Sequence, residues 1–89
     1  MASYSLSFKP SVEKDLASLP KDLLARILTR IEQLKTNPFP PQSIKLQSAE
    51  RLHRTRVGDY RIVYEVDPEI LQVTIHHVRH RRDVYRRLR

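Results

Sequence analysis

Residues 52–66 read LHRTRVGDYRIVYEV, and the rest of the architecture can be worked out from this segment. Apolar and polar side chains alternate on both sides of Gly58-Asp59, and a period of two is typical of a half-buried strand. Gly58 is the single glycine of the chain, and tight hairpin turns favour glycine because their central residues need a positive φ. The segment therefore predicts two antiparallel strands, over about 52–57 and 60–66.

The sequence on either side adds two strands and two helices. Residues 4–9 alternate apolar and polar side chains and predict an N-terminal strand. A turn at 67–69 leads into a third strand of the meander over about 71–78. Pro10 and Pro20 suit the first turns of two helices, since proline lacks the N–H that a first turn leaves unbonded.

Both helices carry an apolar stripe at helical spacing. The stripes consist of Val12, Leu16 and Leu19 in the first helix, and Leu24, Ile27, Leu28, Ile31 and Leu34 in the second. Asn37-Pro38 ends the second helix, because the residue before a proline is pushed out of the helical region. Residues 36–50 are expected to form a loop that Ile44 and Leu46 anchor to the core.

This order of elements predicts one α+β domain over residues 1–89. It comprises an N-terminal strand, an antiparallel helical hairpin, a three-stranded antiparallel meander and a short C-terminal helix. The helices are expected to cover one face of the sheet. Alternation places Tyr60 and Ile62 on that core face, while Arg54, Arg56 and Arg61 lie on the other face. The same rule sends the adjacent histidines at positions 76 and 77 to opposite faces.

Charge is distributed unevenly along the chain. The net charge is +7, all five lysines lie at or before Lys45, and ten of the twelve arginines lie at or after Arg51. Arginine suits bidentate phosphate contacts and stacking on bases, so the C-terminal half is expected to bind a polyanion, most simply RNA. The alternatives are an acidic protein partner or a solvated basic surface.

Several classes of protein are excluded by composition. The chain has no cysteine, which excludes disulfides and thiolate metal sites, and the histidine spacing predicts no metal site. No apolar run approaches the roughly 18 residues of a membrane span, and no signal-peptide pattern is present. The expectation is a cytoplasmic protein that does not associate with membranes.

Two motifs resemble those of a known superfamily. Residues 54–64 read RTRVGDYRIVY, which resembles the R-x-R-x-G-x-Y-R-x-x-Y signature of RelE-type toxins. Residues 78–85 read VRHRRDVY, which is similar to the V-G-H-R-x-x-V-Y ending of that superfamily. The resemblance covers nearly the whole chain and implies a bacterial or archaeal toxin of a type II toxin–antitoxin pair, neutralised by a cognate antitoxin protein.

The resemblance also implies an activity. RelE-type toxins cleave mRNA in the ribosomal A site, where the 2′-hydroxyl attacks the adjacent phosphate and leaves a 2′,3′-cyclic phosphate and a 5′-hydroxyl. No cofactor is implied. The resemblance implies a role for each matching position. Arg54 and Arg56 would clamp phosphates, and Arg61 would hold the scissile phosphate. Arg81 would serve the phosphate or leaving group, and Tyr85 would stack on a base.

The chain also departs from the family pattern. Some RelE toxins have lysine where this chain has Arg54 and Arg56, and arginine is a poor proton acceptor. We therefore consider His80 as the general acid or base, with a structural or phosphate-contacting role as its alternative. Arg79 replaces the usual glycine of the ending motif. Four further arginines are expected to contact RNA: Arg79, Arg82, Arg86 and Arg87.

Two other functions stay open. A ParE-like inhibitor of DNA gyrase shares the fold without the RNA chemistry. A non-catalytic module that binds RNA or a partner protein would keep the basic charge and need no particular arginine.

Overall fold

The computed structural model describes residues 3–41, 43–46 and 51–82. Within them the chain forms two α-helices and five β-strands. In chain order these are β1 (Ser5–Phe8), α1 (Pro10–Ala17), α2 (Lys21–Gln33), β2 (Ile44–Lys45), β3 (Leu52–Val57), β4 (Tyr60–Asp67) and β5 (Gln72–His80). No helix of the described part of the chain is long and apolar enough to cross a membrane.

The five strands form one sheet in the order β1-β5-β4-β3-β2. The meander β3-β4-β5 is antiparallel, as predicted, and β1 adds to its β5 edge in parallel. Gly58 takes the positive φ of 59° that the turn between β3 and β4 requires. The predicted α+β fold is confirmed, including the strands of the hairpin.

Both helices cover one face of this sheet. Val12 of α1 and Ile27 and Ile31 of α2 are buried against apolar side chains of β4 and β5 such as Ile62 and Ile75. Burial of these aliphatic side chains stabilises the fold by removing apolar surface from water. We call the opposite face of the sheet the distal face, and it carries the alternating polar side chains of the strands.

The connection after α2 differs from the prediction in two respects. It contains the short strand β2, which pairs with β3 at the edge of the sheet. Ile44 does not anchor the connection, because its side chain is half exposed, whereas Leu46 is partly buried and its N–H donates to the Leu52 carbonyl (2.8 Å). The connection is also held by the buried Tyr64, whose hydroxyl donates to the Pro38 carbonyl (2.7 Å).

A bulge in β5 overturns the prediction for the two adjacent histidines. The ladder pairs Val63 with His77 and Tyr64 with Ile75, so His76 is an extra residue on β5. His77 therefore lies opposite Val63 on the distal face, and His76 Nε2 reaches Glu65 Oε1 (3.0 Å) on the same face. The extra residue breaks the simple alternation on which the prediction rested. The chain is helical at 81–82, and the rest of the predicted C-terminal helix lies outside the described residues.

Candidate RNA-cleavage site

Three arginines stand side by side on the distal face, near the end of the strands that carries the Gly58 turn. In the ladder, Arg56 of β3 lies opposite Arg61 of β4, which in turn lies opposite Arg79 of β5. Side chains of directly opposed residues in an antiparallel pair lie on the same face and close together. The strand register therefore forms a row of arginine residues, and the row nearer the middle of the strands places Arg54 beside Val63.

A small cavity lies beside this row, at the Gly58 turn. Its volume is about 50 Å³, and its walls are formed by Arg56, Gly58, Asp59, Tyr60, Arg61 and Arg81. That volume exceeds the roughly 10–15 Å³ that a cavity needs to hold a water molecule, so the cavity admits a small group such as a phosphate oxygen. Three arginines and one aspartate line this space, an excess of positive charge that favours an anion, and phosphate oxygens suit the N–H donors of arginine.

Arg81 reaches this cavity because the end of β5 is fastened to the hairpin turn. The Arg81 N–H donates to the Asp59 carbonyl (2.9 Å). This bond links two residues that are 22 positions apart and fixes where the chain leaves the sheet. Arg81 is exposed, so its guanidinium is accessible to a ligand from solvent. The structure thus brings together three of the predicted site residues, Arg56, Arg61 and Arg81.

The other predicted residues have different surroundings. Arg54 is on the distal face, one row away from the cavity. Arg79 Nε lies 3.9 Å from Asp15 Oδ2, so its charge is partly balanced. Arg82 is exposed and lies outside the cavity wall. The predictions for Tyr85, Arg86 and Arg87 lie outside the described residues.

His80 lies beside the cavity, on the helix side of the sheet. It is opposite Tyr60 in the ladder, and the two rings meet edge to face with centroids 5.2 Å apart. Its Nδ1 accepts the N–H of Arg82 (3.2 Å). In a neutral imidazole this leaves the proton on Nε2. His80 therefore touches a residue of the cavity wall, Tyr60, while Arg61 and Arg79 lie on the opposite face.

Arg30, which supports the site from the helix side of the sheet, was not predicted from the sequence. Arg30 of α2 donates from Nη1 to the Thr55 hydroxyl (2.8 Å) and to the Arg56 carbonyl (3.0 Å). Thr55 is fully buried, and a buried hydroxyl needs a hydrogen-bond partner. The signal was present in the sequence, because a threonine between core positions of β3 calls for a polar partner from the helix above it.

His53 packs in the core edge and away from the cavity. Its ring stacks on Tyr64 with centroids 5.7 Å apart and meets Phe39 edge to face at 5.1 Å. Burial lowers the pKa of His53 below its usual value, and the nearby charge of Lys45 lowers it further. Within residues 3–41, 43–46 and 51–82, no three histidine or acidic side chains lie close enough together to hold a metal ion.

Comparison with known proteins assigns the family. Residues 6–85 match the family described as the ParE toxin of the type II toxin–antitoxin system parDE. Toxin RelG of Mycobacterium tuberculosis is 31% identical over 85 residues, which cover 94% of this chain and 98% of RelG.

Solved structures agree in fold over nearly their full length. The archaeal RelE–RelB complex from Pyrococcus horikoshii OT3 matches with a TM-score of 0.80 and 32% identity, covering 89% of this chain and 96% of that one. The RelB–RelE antitoxin–toxin complex from Methanococcus jannaschii matches with a TM-score of 0.79 and 26% identity, covering 93% and 99%. The chain therefore belongs to the RelE/ParE family of toxins of type II toxin–antitoxin systems.

Proposed function

We propose that this toxin is an endoribonuclease that cleaves mRNA in the ribosomal A site. The observation that carries the proposal is the cavity at the Gly58 turn, where Arg56, Arg61 and Arg81 meet. A non-catalytic basic surface would not require arginines from β3, from β4 and from the segment after β5 to converge on a space of about 50 Å³. Ribosomes are the site of action in this proposal, which places the toxin in the cytoplasm.

The proposed reaction is an intramolecular transesterification. The 2′-oxygen forms a bond to the adjacent phosphorus, the bond from phosphorus to the 5′-oxygen breaks, and the products are a 2′,3′-cyclic phosphate and a 5′-hydroxyl. Negative charge increases on the phosphate oxygens in the transition state. Arg56, Arg61 and Arg81 stabilise that charge from fixed positions, which is the electrostatic contribution typical of enzyme sites. Arg54 clamps a neighbouring phosphate from the next row.

Proton transfer needs a group other than arginine, which stays protonated. One proton leaves the 2′-hydroxyl and one must reach the departing 5′-oxygen. We propose His80 as the acid or base, because its imidazole lies against Tyr60 of the cavity wall and histidine is the side chain most often used for proton transfer in enzymes. A His80→Gln variant that keeps the normal rate and pH profile of cleavage would remove His80 from the mechanism.

The proposal includes two kinds of partner. Two of the similar solved structures are complexes of a RelE toxin with RelB, and we propose that this chain likewise binds a cognate antitoxin. With a net charge of +7, it suits an acidic antitoxin segment that is disordered until it binds. Ribosomal RNA is the second partner, and Arg79 and Arg82 are the described arginines proposed to contact it.

Mapping of mRNA ends in cells tests this function. Expression of the toxin should yield mRNA 5′ ends in phase with codons, detected by primer extension. Arg81→Ala should remove these ends, because it takes one guanidinium from the cavity. Arg51→Ala is the matched control, since Arg51 pairs with Asp67 (3.0 Å) at the far end of β3 and should leave cleavage intact.

Inhibition of DNA gyrase is the second candidate, favoured by the match to a family described by its ParE toxin. In that case expression would change plasmid supercoiling and damage DNA without codon-phased mRNA ends. Growth without toxicity, together with RNA binding by the purified protein, would instead indicate a non-catalytic binding module.

A further inference from the structure

A second basic cleft lies on the helix side of the Gly58 turn. It has a volume of about 410 Å³, and its walls include Arg26, Arg30, Arg56 and Gly58. Among the residues that the structure describes, three of those lining the cleft are arginines and none is acidic. We call this space the α2 cleft. Its charge fits an anion, and its size exceeds that of the cavity described above.

The guanidinium of Arg30 is held in place within the wall of this cleft. Its Nη1 donates to the Thr55 hydroxyl and the Arg56 carbonyl at 2.8 and 3.0 Å. A guanidinium has five N–H donors, so others remain for a ligand. Because the side chain is already ordered, an anion that binds here loses less entropy in ordering it.

Arg26 supplies an exposed cation at the mouth of the cleft. Its Nη2 lies 3.9 Å from the position that a Cβ on residue 58 would occupy, so Gly58 leaves this guanidinium close to the turn. Arg26 is exposed, and its partner on the other wall, Arg56, is exposed as well. An extended anionic chain could therefore enter the cleft from solvent.

The α2 cleft and the cavity at the Gly58 turn share two wall residues, Arg56 and Gly58. A strand with a phosphate in the cavity would pass the Gly58 turn and meet the cleft next. We propose that the α2 cleft binds a second RNA phosphate, beyond the scissile one. The proposal rests on the proposed function in that it takes RNA as the ligand, and either mRNA or ribosomal RNA could supply the phosphate.

Salt-dependent binding to RNA tests this proposal. The probes are a single-stranded 2′-O-methyl oligoribonucleotide, which lacks the attacking hydroxyl, and purified ribosomes. Arg26→Gln should raise the dissociation constant by about three- to tenfold at low salt. It should also reduce the slope of log affinity against log salt by about 0.7, the value for one phosphate contact on a single strand.

Two further variants sharpen the test. Lys21→Gln removes one positive charge from the same helix outside the cleft and should change oligonucleotide binding little. Gln33→Glu puts a carboxylate into the wall of the cleft at an exposed position and should weaken RNA binding as Arg26→Gln does. Thermal unfolding of each variant shows that the fold is kept.

The outcomes separate the sources of phosphate and the two proposals. If Arg26→Gln loses affinity for the oligonucleotide, the phosphate belongs to mRNA. If it loses affinity for ribosomes alone, the phosphate belongs to ribosomal RNA. An acidic peptide serves as a third probe. If Arg26→Gln leaves RNA binding unchanged, or weakens only the binding of this peptide, the proposal that the α2 cleft binds RNA is overturned. Wild-type toxin that binds RNA through the cleft and does not cleave it would overturn the endoribonuclease and leave the cleft standing. Wild-type toxin that binds neither probe overturns both.

Discussion

Arg56 lies directly opposite Arg61 in the antiparallel ladder, and both side chains line the cavity at the Gly58 turn. Like charges placed opposite each other destabilise a sheet, because their repulsion is present in the folded chain and largely absent in the unfolded one. The pair therefore lowers stability, and such a cost is expected where a site must concentrate positive charge.

The Arg56→Gln variant should consequently be more stable than the wild type while losing activity. We expect the free energy of unfolding to rise by about 0.5 kcal/mol at low salt, and the gain to shrink as salt screens the repulsion. Cleavage should fall by about a hundredfold or more, as for loss of one transition-state donor. Urea unfolding and single-turnover cleavage measure the two effects, and Arg51→Gln should show neither. A variant that loses stability together with activity would contradict the repulsion.

The buried Thr55 hydroxyl is predicted to matter through Arg30. Thr55→Val keeps the shape of the side chain and removes the acceptor, so a charged donor loses a bond. We expect destabilisation of about 1.5–3 kcal/mol, the range for hydrogen bonds to charged groups. Thr55→Ser keeps the hydroxyl and should recover much of that bond. If Val and Ser variants unfold at the same urea concentration, the Arg30 bond contributes nothing.

Asp15 is predicted to protect the edge of β5 beyond the end of β1. β1 pairs with β5 as far as Ile75, and farther along Asp15 Oδ2 accepts the N–H of Val78 (3.1 Å). Asp15→Ala leaves the Val78 N–H without its acceptor and should lower the free energy of unfolding by about 1–3 kcal/mol. Asp15→Asn keeps an oxygen acceptor and should cost less. Hydrogen exchange at the Val78 amide reports the effect directly, and an unchanged exchange rate in Asp15→Ala would contradict it.

The hairpin and its arginines could be predicted because their signals are local. Alternation over 52–66 and the glycine at its turn fix the two strands, and the same alternation puts Arg56 and Arg61 on the distal face. The bulge at His76 was not predictable in this way, because it depends on how β5 fits against β4. Nor was the contact of Arg81 with Asp59, which joins residues that only the folded meander brings together.

Stability should depend on pH through His53. Its pKa is lowered in the folded protein, first by burial and then by Lys45, so the unfolded chain binds the proton more strongly. The contribution of His53 to stability is therefore complete above its ordinary pKa of 6.5 and is lost as the pH falls below that value. His53→Phe keeps an aromatic ring on Tyr64 and should flatten the fall in stability between neutral and mildly acidic pH. Wild-type and variant unfolding curves with the same pH dependence would contradict this assignment.

The central claim is that the Arg56, Arg61 and Arg81 cavity promotes attack by the 2′-hydroxyl of mRNA on its own backbone. The most direct test is cleavage by purified toxin of ribosome-bound mRNA that carries one 2′-deoxynucleotide immediately 5′ to the scissile phosphate. We predict that this bond stays intact, while the all-ribose mRNA yields an upstream fragment whose mass shows a 2′,3′-cyclic phosphate. Cleavage of the deoxy-substituted bond at the normal rate would contradict the account.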